Sequence, residues 1–379
     1  MIDILYLHSG AELYGADQIL INIVTNLDRE KYTPHVLIPN DGPLKDILDK
    51  SNIDTTIIDY PIIRRKYFDP KGMIEYCVSY MKSIKRISNY IEEHDIQIIH
   101  NNTLAVLEGI YFSTFKNIPV IFHLHEMIEH PRVVAKIMYK IALNHSTKVL
   151  GVSEALKNYV LDLTKSKKDM LVLHNGIVDK SLLEKKVDIR KELGIPKDAI
   201  VYTHVGRINA IKGQKDFVDA LKKTENQNIY GLIIGDAFSG EEWRVNGLVD
   251  YINNSGISNR IIYPGFREDM QNVYNITDVL VLSSVQYDSF PTVVLEALSF
   301  SKPVIAYDCG GVVEMVQDEN NGYIVDQGDI EALSSKIEYL SKDFNIRKKM
   351  GMNSRIRFEK EFSIGEFIIR LQDIYNNLI

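Results

Sequence analysis

Two acidic side chains lie eight positions apart in a segment that follows an apparent buried strand. The run from Asp278 to Ser284 is short, apolar and rich in β-branched residues, which is typical of a strand covered on both faces. Asp288 and Glu296 follow it. Their carboxylates can accept hydrogen bonds from hydroxyl groups of a ligand. The structural alternative is an ordinary strand, turn and helix with two solvated acids.

The residues between the two acids have the features of a helix start. Pro291 suits the first helical position, which places the cap at Ser289 or Phe290. The backbone N–H groups from Phe290 to Val293 are then expected to point out of the helix end, where the helix dipole favours an anion. A phosphate site beside two carboxylates indicates a ligand that carries both phosphate and hydroxyl groups, as a sugar nucleotide does.

A second cluster of charge follows another apparent strand. Arg207 and Lys212 lie in a loop bounded by Gly206 and Gly213, directly after the apolar run from Ala199 to Val205. Arginine can bind phosphate oxygens in a bidentate manner, and lysine supplies a compact charge, so the pair could neutralise a diphosphate. The alternative is a basic surface loop without a ligand.

Strand-like and helix-like segments alternate along the whole chain. This alternation predicts an α/β fold with parallel sheets covered by helices on both faces. Helices are expected from near Thr103 and from Pro131, among others. The expected strands are Ile2–His8, His35–Pro39, Thr55–Asp59, Ile96–His100, Pro119–Leu124, Lys148–Val152, Met170–His174, Ala199–Val205, Tyr230–Ile234, Arg260–Tyr263, Val279–Ser283, Val304–Tyr307 and Gly322–Val325.

The strand pattern restarts after the polar segment from Asp179 to Asp198, which indicates two Rossmann-like domains. We expect an N-terminal domain over residues 1–178 and a C-terminal domain over residues 179–360, with a last helix over about 361–379 that packs back on the first domain. In such folds the ligand binds at the carboxyl ends of the strands, here expected in the cleft between the domains.

Composition limits the class of protein. The chain has 379 residues, 45% of them hydrophobic and 25% charged, with a net charge of −7, which argues against general nucleic-acid binding. We expect the two distant cysteines, Cys77 and Cys309, to be small buried residues. The absence of a long apolar run or a signal-peptide pattern predicts a cytoplasmic protein.

One segment departs from the acidic balance. From Ile62 to Arg86 there are seven basic residues and two acidic ones. Such a segment could lie against an anionic membrane, in which case the protein would be peripheral on the inner face of the cell membrane. A solvated helix face with a basic loop is the alternative.

These motifs together resemble glycosyltransferase family 4, the retaining glycosyltransferases of GT-B fold. The similarity extends from the N-terminus to about residue 330 in order and spacing. In the second half it rests on Gly206-Arg207, Lys212-Gly213, Gly235-Asp236, Gly265-Phe266 and the segment from Asp288 to Ala297. In the first half it rests on Gly15-Ala16-Asp17, Gly42-Pro43-Leu44, His123-Leu124-His125-Glu126, Gly151-Val152-Ser153-Glu154 and Asn175-Gly176.

The resemblance implies roles for the charged residues. Arg207 and Lys212 match the basic pair that binds the donor diphosphate. Glu296 matches the second acid of the family's E-x7-E motif, which bonds ribose hydroxyls. Asp288 stands where the first glutamate bonds hydroxyls of the transferred sugar, and its side chain is one methylene shorter.

The resemblance also implies a set of further donor contacts and one further catalytic group. His125 matches a histidine near the reacting sugar; we favour it over His123, which is expected to point the opposite way if the strand continues. The other expected donor-binding residues are Gly15, Ala16, Phe266, Arg267, Ser289, Phe290, Pro291, Thr292 and Val293.

The activity that the resemblance implies is transfer of a sugar, with retention, from a nucleoside diphosphate to an acceptor hydroxyl of a glycan or lipid-linked oligosaccharide, as in capsule, exopolysaccharide or O-antigen assembly. No cofactor and no metal ion are expected to be required, since Arg207 and Lys212 supply the positive charge. A nucleotide-sugar epimerase and a non-catalytic scaffold subunit that binds a partner glycosyltransferase remain as alternatives.

Overall fold

The chain folds into two α/β units, each built on one parallel sheet. The computed structural model describes residues 1–13, 15–182 and 187–379. One unit comprises Met1–Gly176 together with Ile364–Ile379, and the other comprises Ile177–Ser363. The division between them thus lies two residues before the expected boundary at residue 178, and the last helix belongs to the N-terminal unit.

The N-terminal unit contains seven parallel strands. The strands are β1 (Ile2–Leu7), β2 (Tyr32–Ile38), β3 (Asp54–Ile57), β4 (Ile98–Asn101), β5 (Val120–Leu124), β6 (Lys148–Gly151) and β7 (Leu171–Val172). Their order in the sheet is β3-β2-β1-β4-β5-β6-β7. The helices of this unit are α1 (Gly15–Asn26), α2 (Pro43–Lys50), α3 (Pro70–Glu93), α4 (Glu108–Phe115), α5 (Arg132–His145), α6 (Glu154–Thr164) and α13 (Ile364–Asn376).

The C-terminal unit contains six parallel strands in the order β10-β9-β8-β11-β12-β13. The strands are β8 (Ile200–Val205), β9 (Ile229–Ile234), β10 (Ile261–Gly265), β11 (Val279–Leu282), β12 (Val304–Tyr307) and β13 (Gly322–Val325). The helices are α7 (Gln214–Lys222), α8 (Glu242–Asn253), α9 (Met270–Ile276), α10 (Thr292–Ser299), α11 (Ile330–Lys342) and α12 (Phe344–Arg357), and a π-helical turn follows at Phe358–Phe362. Short 3₁₀ turns lie at Arg65–Tyr67, Lys180–Leu182, Ser258–Arg260 and Gly311–Glu314.

Each sheet reverses its strand order at one point. In the N-terminal unit β1 lies between β2 and β4, and in the C-terminal unit β8 lies between β9 and β11. In each sheet the chain leaves the central strand toward one side and later returns on its other side. The loops that follow the central strand and the strand on its other side, β1 and β4 or β8 and β11, therefore diverge and leave a crevice at their carboxyl ends. The carboxyl ends of β8 and β11 therefore determine where a ligand can bind in the C-terminal unit.

Local side-chain chemistry fixes several helix starts. Ser153 caps α6 by accepting a hydrogen bond from the N–H of Leu156, as its position before an apolar helix predicts. The helix expected from Thr103 begins later, at Glu108. In the intervening turn the amide of Asn101 donates to the Val106 carbonyl, and the Thr103 hydroxyl accepts from the Ala105 N–H. These side-chain bonds hold the backbone in a turn and delay the helix.

The last helix completes the hydrophobic core of the N-terminal unit. Phe367, Leu371 and Tyr375 of α13 are fully buried in the cluster that surrounds β1 and β2. The hydroxyl of Tyr375 lies 2.8 Å from that of Tyr6 on β1. Helix α13 is therefore an integral part of this unit.

The N-terminal half of α3 exposes an apolar stripe. Met73, Ile74, Val78 and Met81 are exposed, and their spacing places them on one side of the helix. Cys77 lies in the same stripe and is exposed, so the expectation that both cysteines are buried is wrong for Cys77; Cys309 is buried. Among the described residues, no helix is long and apolar enough to cross a membrane.

Candidate active site

A short loop after β8 presents the two basic residues of the C-terminal unit. The side chain of Asn209 shapes this loop, because its Oδ1 accepts hydrogen bonds from the N–H groups of Ile211 and Lys212, both at 3.1 Å. Buried Gln214 donates from Nε2 to the carbonyl of Arg207 at 2.8 Å. The loop conformation is therefore determined by its own polar side chains.

Gly213 allows this loop to pass against the segment that follows β11. Its φ is +73°, and a Cβ at this position would lie 1.8 Å from the carbonyl oxygen of Ser283. The Ser283 hydroxyl donates to the Gly213 carbonyl at 2.7 Å, and the Val285 N–H donates to the Ile211 carbonyl at 2.8 Å. Only glycine fits this contact, which joins the two strand ends on either side of the crevice.

Lys212 and Asp288 meet at this crevice. Lys212 Nζ lies 2.6 Å from Asp288 Oδ2, and the two side chains are 23% and 25% exposed. The backbone of Asp288 is fixed by Gly310 and Gly311: the Gly311 N–H donates to the Asp288 carbonyl at 2.9 Å, and a Cβ on Gly310 would lie 2.2 Å from the same oxygen. A cation and a carboxylate are thus held together where a ligand can reach both.

Arg207 is half-buried, and its guanidinium lies over the ring of Phe238, 3.5 Å from the ring centroid. This contact lets the planar group keep its charge while its face is covered. It orients the side chain at the carboxyl end of β8.

Helix α10 begins one residue later than the sequence predicts. Pro291 is the cap residue, with φ −68° and ψ 113°, and Thr292 is the first helical residue. The expectation of Pro291 at the first helical position is therefore wrong, because its ψ is extended. The N–H groups of Thr292 and Val293 belong to the first turn, where no intrahelical acceptor is available.

Phe290 and Ser289 lie before the helix and are buried. The Phe290 ring packs against Phe362 with their centroids 5.8 Å apart. The side chain of Phe290 therefore anchors the turn, and only its backbone could serve a ligand. Pro291 is also buried.

Glu296 is one turn into α10 and is held by a tyrosine from α9. The hydroxyl of Tyr274 donates to Glu296 Oε2 at 2.7 Å. Burial raises the pKa of Glu296, and the Tyr274 hydrogen bond and the charge of nearby Lys180 partly oppose that increase. No sequence pattern indicates Tyr274, because a strand and a turn separate it from Glu296.

Phe266 and Arg267 follow β10 and differ in their availability. Phe266 is 67% exposed, so its ring offers a surface for stacking. Arg267 is engaged by two acids, with its guanidinium 2.6 Å from Glu192 Oε1 and 2.7 Å from Asp269 Oδ1. Of this pair, Phe266 is the better candidate for contact with an aromatic base.

In the N-terminal unit His125 is part of a hydrogen-bonded chain at the carboxyl ends of β1, β4 and β5. Its Nε2 lies 3.1 Å from Asn102 Oδ1, and the Asn102 amide donates to His8 Nδ1 at 3.2 Å. His8 Nε2 in turn donates to Asp17 Oδ1 at 2.7 Å. Burial, together with His123 and His8, lowers the pKa of His125 well below its usual value. This shift favours the neutral imidazole, and a neutral ring can donate from Nε2 to Asn102 Oδ1.

Asn102 also links this series of hydrogen bonds to the start of α1. The Asn102 amide also lies within 3.4 Å of the Ala16 carbonyl, and α1 begins at Gly15. Among the described residues other than its chain neighbours, no heavy atom lies within 4 Å of a Cβ built on Gly15. Residue 14, which precedes Gly15, lies outside the described residues. Gly15, Ala16 and His125 thus lie at the crevice of the N-terminal sheet, and sequence reasoning missed Asn102, which connects them.

His123 does not point away from His125. Their ring centroids are 4.2 Å apart, because alternate residues of a strand lie on the same face of a sheet. His123 Nδ1 lies 3.3 Å from His100 Nε2, and His100 Nδ1 lies 2.7 Å from the Tyr375 hydroxyl. Burial lowers the pKa of His100 to about 3. The expectation that His123 and His125 point in opposite directions is therefore wrong. The buried ring of His123 packs against the ring of His125.

The structure thus groups the predicted residues within each unit. Lys212 and Asp288 are in contact, and Arg207, Glu296 and the start of α10 lie on the same strand-end segments of the C-terminal sheet. The residues that sequence reasoning missed are the ones that hold these groups in place, namely Asn209, Gln214, Tyr274, Ser283 and Gly310.

Two family models match the two halves of this chain. The family described as Glycosyl transferases group 1 matches residues 185–357, and Glycosyltransferase Family 4 matches residues 14–180. N-acetyl-alpha-D-glucosaminyl L-malate synthase of Bacillus anthracis is 24% identical over 64% of this chain, and the match spans 62% of that relative's length. The UDP-Gal:alpha-D-GlcNAc-diphosphoundecaprenol alpha-1,3-galactosyltransferase of Escherichia coli is 23% identical over 97% of this chain and 95% of its own length.

Solved structures show the same fold. HepE from Anabaena, determined in complex with UDP, matches 99% of this chain and 100% of its own with a TM-score of 0.86 and 22% identity. HepE has also been determined with UDP-glucose, with a TM-score of 0.83. Two family matches that together span residues 14–180 and 185–357, on two parallel-sheet Rossmann-like units, show that this chain belongs to the GT-B glycosyltransferases of family 4.

Proposed function

We propose that the protein transfers a sugar from a nucleoside diphosphate to an acceptor hydroxyl with retention of anomeric configuration. The observation that carries this proposal is the contact between Lys212 and Asp288, 2.6 Å apart at the crevice of the C-terminal sheet. A cation for the diphosphate and an acceptor for sugar hydroxyls are needed side by side in such a site. Arg207 and the first turn of α10 add further positive potential at the same strand ends.

Charge stabilisation is the main contribution that these residues can make. In the proposed step the bond between the anomeric carbon and the phosphate oxygen breaks, and its electron pair goes to the diphosphate. Lys212, Arg207 and the N–H groups of Thr292 and Val293 stabilise that negative charge, at about 3 kcal/mol per well-placed donor. The acceptor oxygen bonds to the anomeric carbon on the same face, and its proton passes to the leaving phosphate oxygen. No metal ion is required for this step.

The two carboxylates have separate tasks in this proposal. Asp288 accepts from hydroxyls of the transferred sugar while it shares Lys212 with the diphosphate. Glu296, held by Tyr274, accepts from the ribose hydroxyls. His125, Gly15 and Ala16 are the groups we assign to the reaction from the N-terminal unit, where His125 acts as a neutral hydrogen-bond donor or acceptor.

Relatives indicate the classes of donor and acceptor. The Escherichia coli relative uses UDP-galactose and a diphosphoundecaprenol-linked sugar according to its name, and HepE binds UDP and UDP-glucose. We therefore propose a uridine diphosphate sugar as donor and a lipid-linked saccharide as acceptor, in the assembly of a cell-surface polysaccharide.

A screen of nucleotide sugars against thermal unfolding tests the donor assignment. At about 100 times its Kd, a true donor should stabilise the protein by about 2.7 kcal/mol, which corresponds to a rise in Tm of about 5 to 10 °C. UDP-glucose and UDP-galactose are tested first, with the variant Lys212→Ala as the matched control. NMR coupling constants of the product then report the anomeric configuration.

Each alternative function predicts a different result in this experiment. Failure of every nucleotide sugar to protect the protein would favour a non-catalytic scaffold. Isomerisation of the donor without an acceptor would favour an epimerase. An inverted anomer in the product would contradict the retaining mechanism while leaving the transferase activity intact.

We further propose that the exposed face of α3 lies on an anionic membrane surface. Its apolar stripe of Met73, Ile74, Val78 and Met81 is flanked by basic residues, namely Lys71, Lys82, Lys85 and Arg86. Beside the stripe is an apolar groove of about 380 Å³, lined by Tyr80, Leu107 and Ile110 among others. An amphipathic helix with basic flanks binds anionic lipids by burying its apolar side chains and by the attraction of its positive charges to the lipid headgroups. An apolar groove suits an acyl or prenyl chain.

Charge introduced into this stripe should abolish membrane binding. The double variant Ile74→Glu, Met81→Glu is expected to reduce cosedimentation with vesicles that contain anionic lipid at least about tenfold, because two apolar anchors are lost. The control is Ile369→Glu, an isoleucine on α13 of the same unit that is 56% exposed, compared with 67% for Ile74. Equal binding by both variants, or equal binding to zwitterionic and anionic vesicles, would contradict the proposal.

A further inference from the structure

Three metal-ligating side chains meet at the β3 edge of the N-terminal sheet, outside the candidate active site. His35 lies in β2, Asp54 begins β3 as its direct neighbour in register, and His94 terminates α3. One ligand atom of each lies within 4.8 Å of the others. Asp54 opens its strand and His94 precedes β4, so this cluster lies toward the amino ends of the strands, whereas Gly15, Ala16 and His125 follow carboxyl ends.

His35 is oriented as a ligand by a second carboxylate. Its ring is buried, with Nε2 2.9 Å from Asp3 Oδ1 and Nδ1 2.9 Å from Asp54 Oδ2. When Nε2–H donates to Asp3, the lone pair of Nδ1 points toward Asp54 and the Tyr90 hydroxyl, which lies 3.2 Å from Nδ1. A carboxylate that accepts from the far nitrogen of an imidazole is the usual support of a metal-binding histidine.

His94 is oriented in the same way by the backbone. Its Nδ1 donates to the Tyr90 carbonyl at 2.9 Å, and its ring stacks on the Tyr90 ring with centroids 4.0 Å apart. The lone pair of Nε2 therefore faces Asp54 Oδ2 at 3.8 Å. A nitrogen lone pair and a carboxylate oxygen that face each other repel unless a proton or a metal ion lies between them.

We propose that His35 Nδ1, His94 Nε2 and the Asp54 carboxylate bind a divalent transition-metal ion of the zinc class. Tetrahedral zinc with bonds of 2.0 to 2.1 Å places its ligand atoms about 3.3 Å apart, and the observed separations of 2.9 and 3.8 Å lie on either side of that value. Two imidazoles and one carboxylate are borderline ligands that suit zinc better than magnesium or calcium. Asp54 is partly exposed, so water can take the fourth position.

The ion would join β2, β3 and the end of α3. These elements carry none of the residues assigned to the donor, so the site stabilises the N-terminal unit and takes no part in sugar transfer. The hydroxyl of Tyr90, which donates to Asp54 Oδ2 at 2.7 Å, orients the carboxylate from α3.

Titration of the chelator-treated full-length protein with zinc chloride tests the proposal. We expect one equivalent bound with a micromolar or lower Kd, measured by competition with a chromophoric chelator, together with a rise in Tm. His94→Ala should weaken this binding about a hundredfold or more, whereas His145→Ala, an exposed histidine of the same unit, should not change it. Cobalt should give the visible spectrum of a tetrahedral site with nitrogen and oxygen ligands.

Several outcomes would overturn this assignment. They are an unchanged affinity in His94→Ala, zinc binding that is lost equally in His145→Ala, or the absence of micromolar zinc binding. In each case the cluster would be an ion pair in which a protonated His35 donates to Asp3 and Asp54. UDP binding should be the same before and after chelator treatment, which separates this site from the donor site.

Discussion

Replacement of Lys212 by Ala is expected to lower kcat/KM for sugar transfer about a hundredfold or more. Lys212 is the cation nearest to Asp288, and its removal takes positive charge from the place where the departing diphosphate becomes more negative. It also leaves a partly buried carboxylate without its partner, which repels the same phosphate. Both effects act on the transition state, so kcat should fall more than the affinity for the donor.

Initial rates of transfer with a saturating acceptor measure this effect. Lys222→Ala is the matched control, because Lys222 lies in the last turn of α7 and is exposed. Asp288→Asn distinguishes two roles for Lys212. If Lys212 binds the diphosphate, Asp288→Asn should keep UDP binding while transfer falls. If Lys212 only positions Asp288, Lys212→Ala and Asp288→Asn should affect UDP binding and transfer alike. Near-normal transfer by Lys212→Ala would remove the main support for the mechanism.

Gly213→Ala is expected to destabilise the C-terminal unit by about 3 kcal/mol or more and to abolish donor binding. The added Cβ would lie 1.8 Å from the Ser283 carbonyl oxygen, so the loop or the segment after β11 must move. Left-handed backbone costs a further 1 to 2 kcal/mol, approximately, for a residue with a side chain. Since the Asn209 turn and Lys212 precede this glycine, the displacement would move the basic pair away from Asp288.

Gly240→Ala separates the two contributions. Gly240 has φ +86°, and apart from its chain neighbours no heavy atom of the described part of the chain lies within 4 Å of its built Cβ, so this variant has the backbone strain without the overlap. Thermal unfolding should therefore show a drop in Tm several degrees larger for Gly213→Ala than for Gly240→Ala. Equal drops in the two variants would mean that the approach of Gly213 to Ser283 is not required.

The fold was largely predictable because parallel sheets have a strong local signal. Each expected strand is present, with ends that differ by at most three residues, since strands buried on both faces are continuous apolar runs bounded by polar turns. Helix starts were less predictable. The shift of α4 from Thr103 to Glu108 comes from hydrogen bonds of Asn101 and Thr103, and sequence periodicity does not report such bonds.

The candidate site was predictable in its charged residues and not in what positions them. Lys212 and Asp288 follow two strands, and adjacency of those strands in the sheet brings the side chains together. Tyr274 and Asn102 act through contacts that are remote in sequence, and Arg267 is engaged by Glu192, so pattern alone could not assign them. The exposed Cys77 shows that a stripe of apolar residues need not face a core.

Helix α13 has a consequence for biosynthesis. Phe367, Leu371 and Tyr375 fill the core around β1 and β2, so the portion of the chain made first lacks part of its interior until residues near the carboxyl terminus have left the ribosome. The second unit, whose residues are contiguous, can fold before the first is complete. The unit whose translation begins first is thus the one whose residues are completed last.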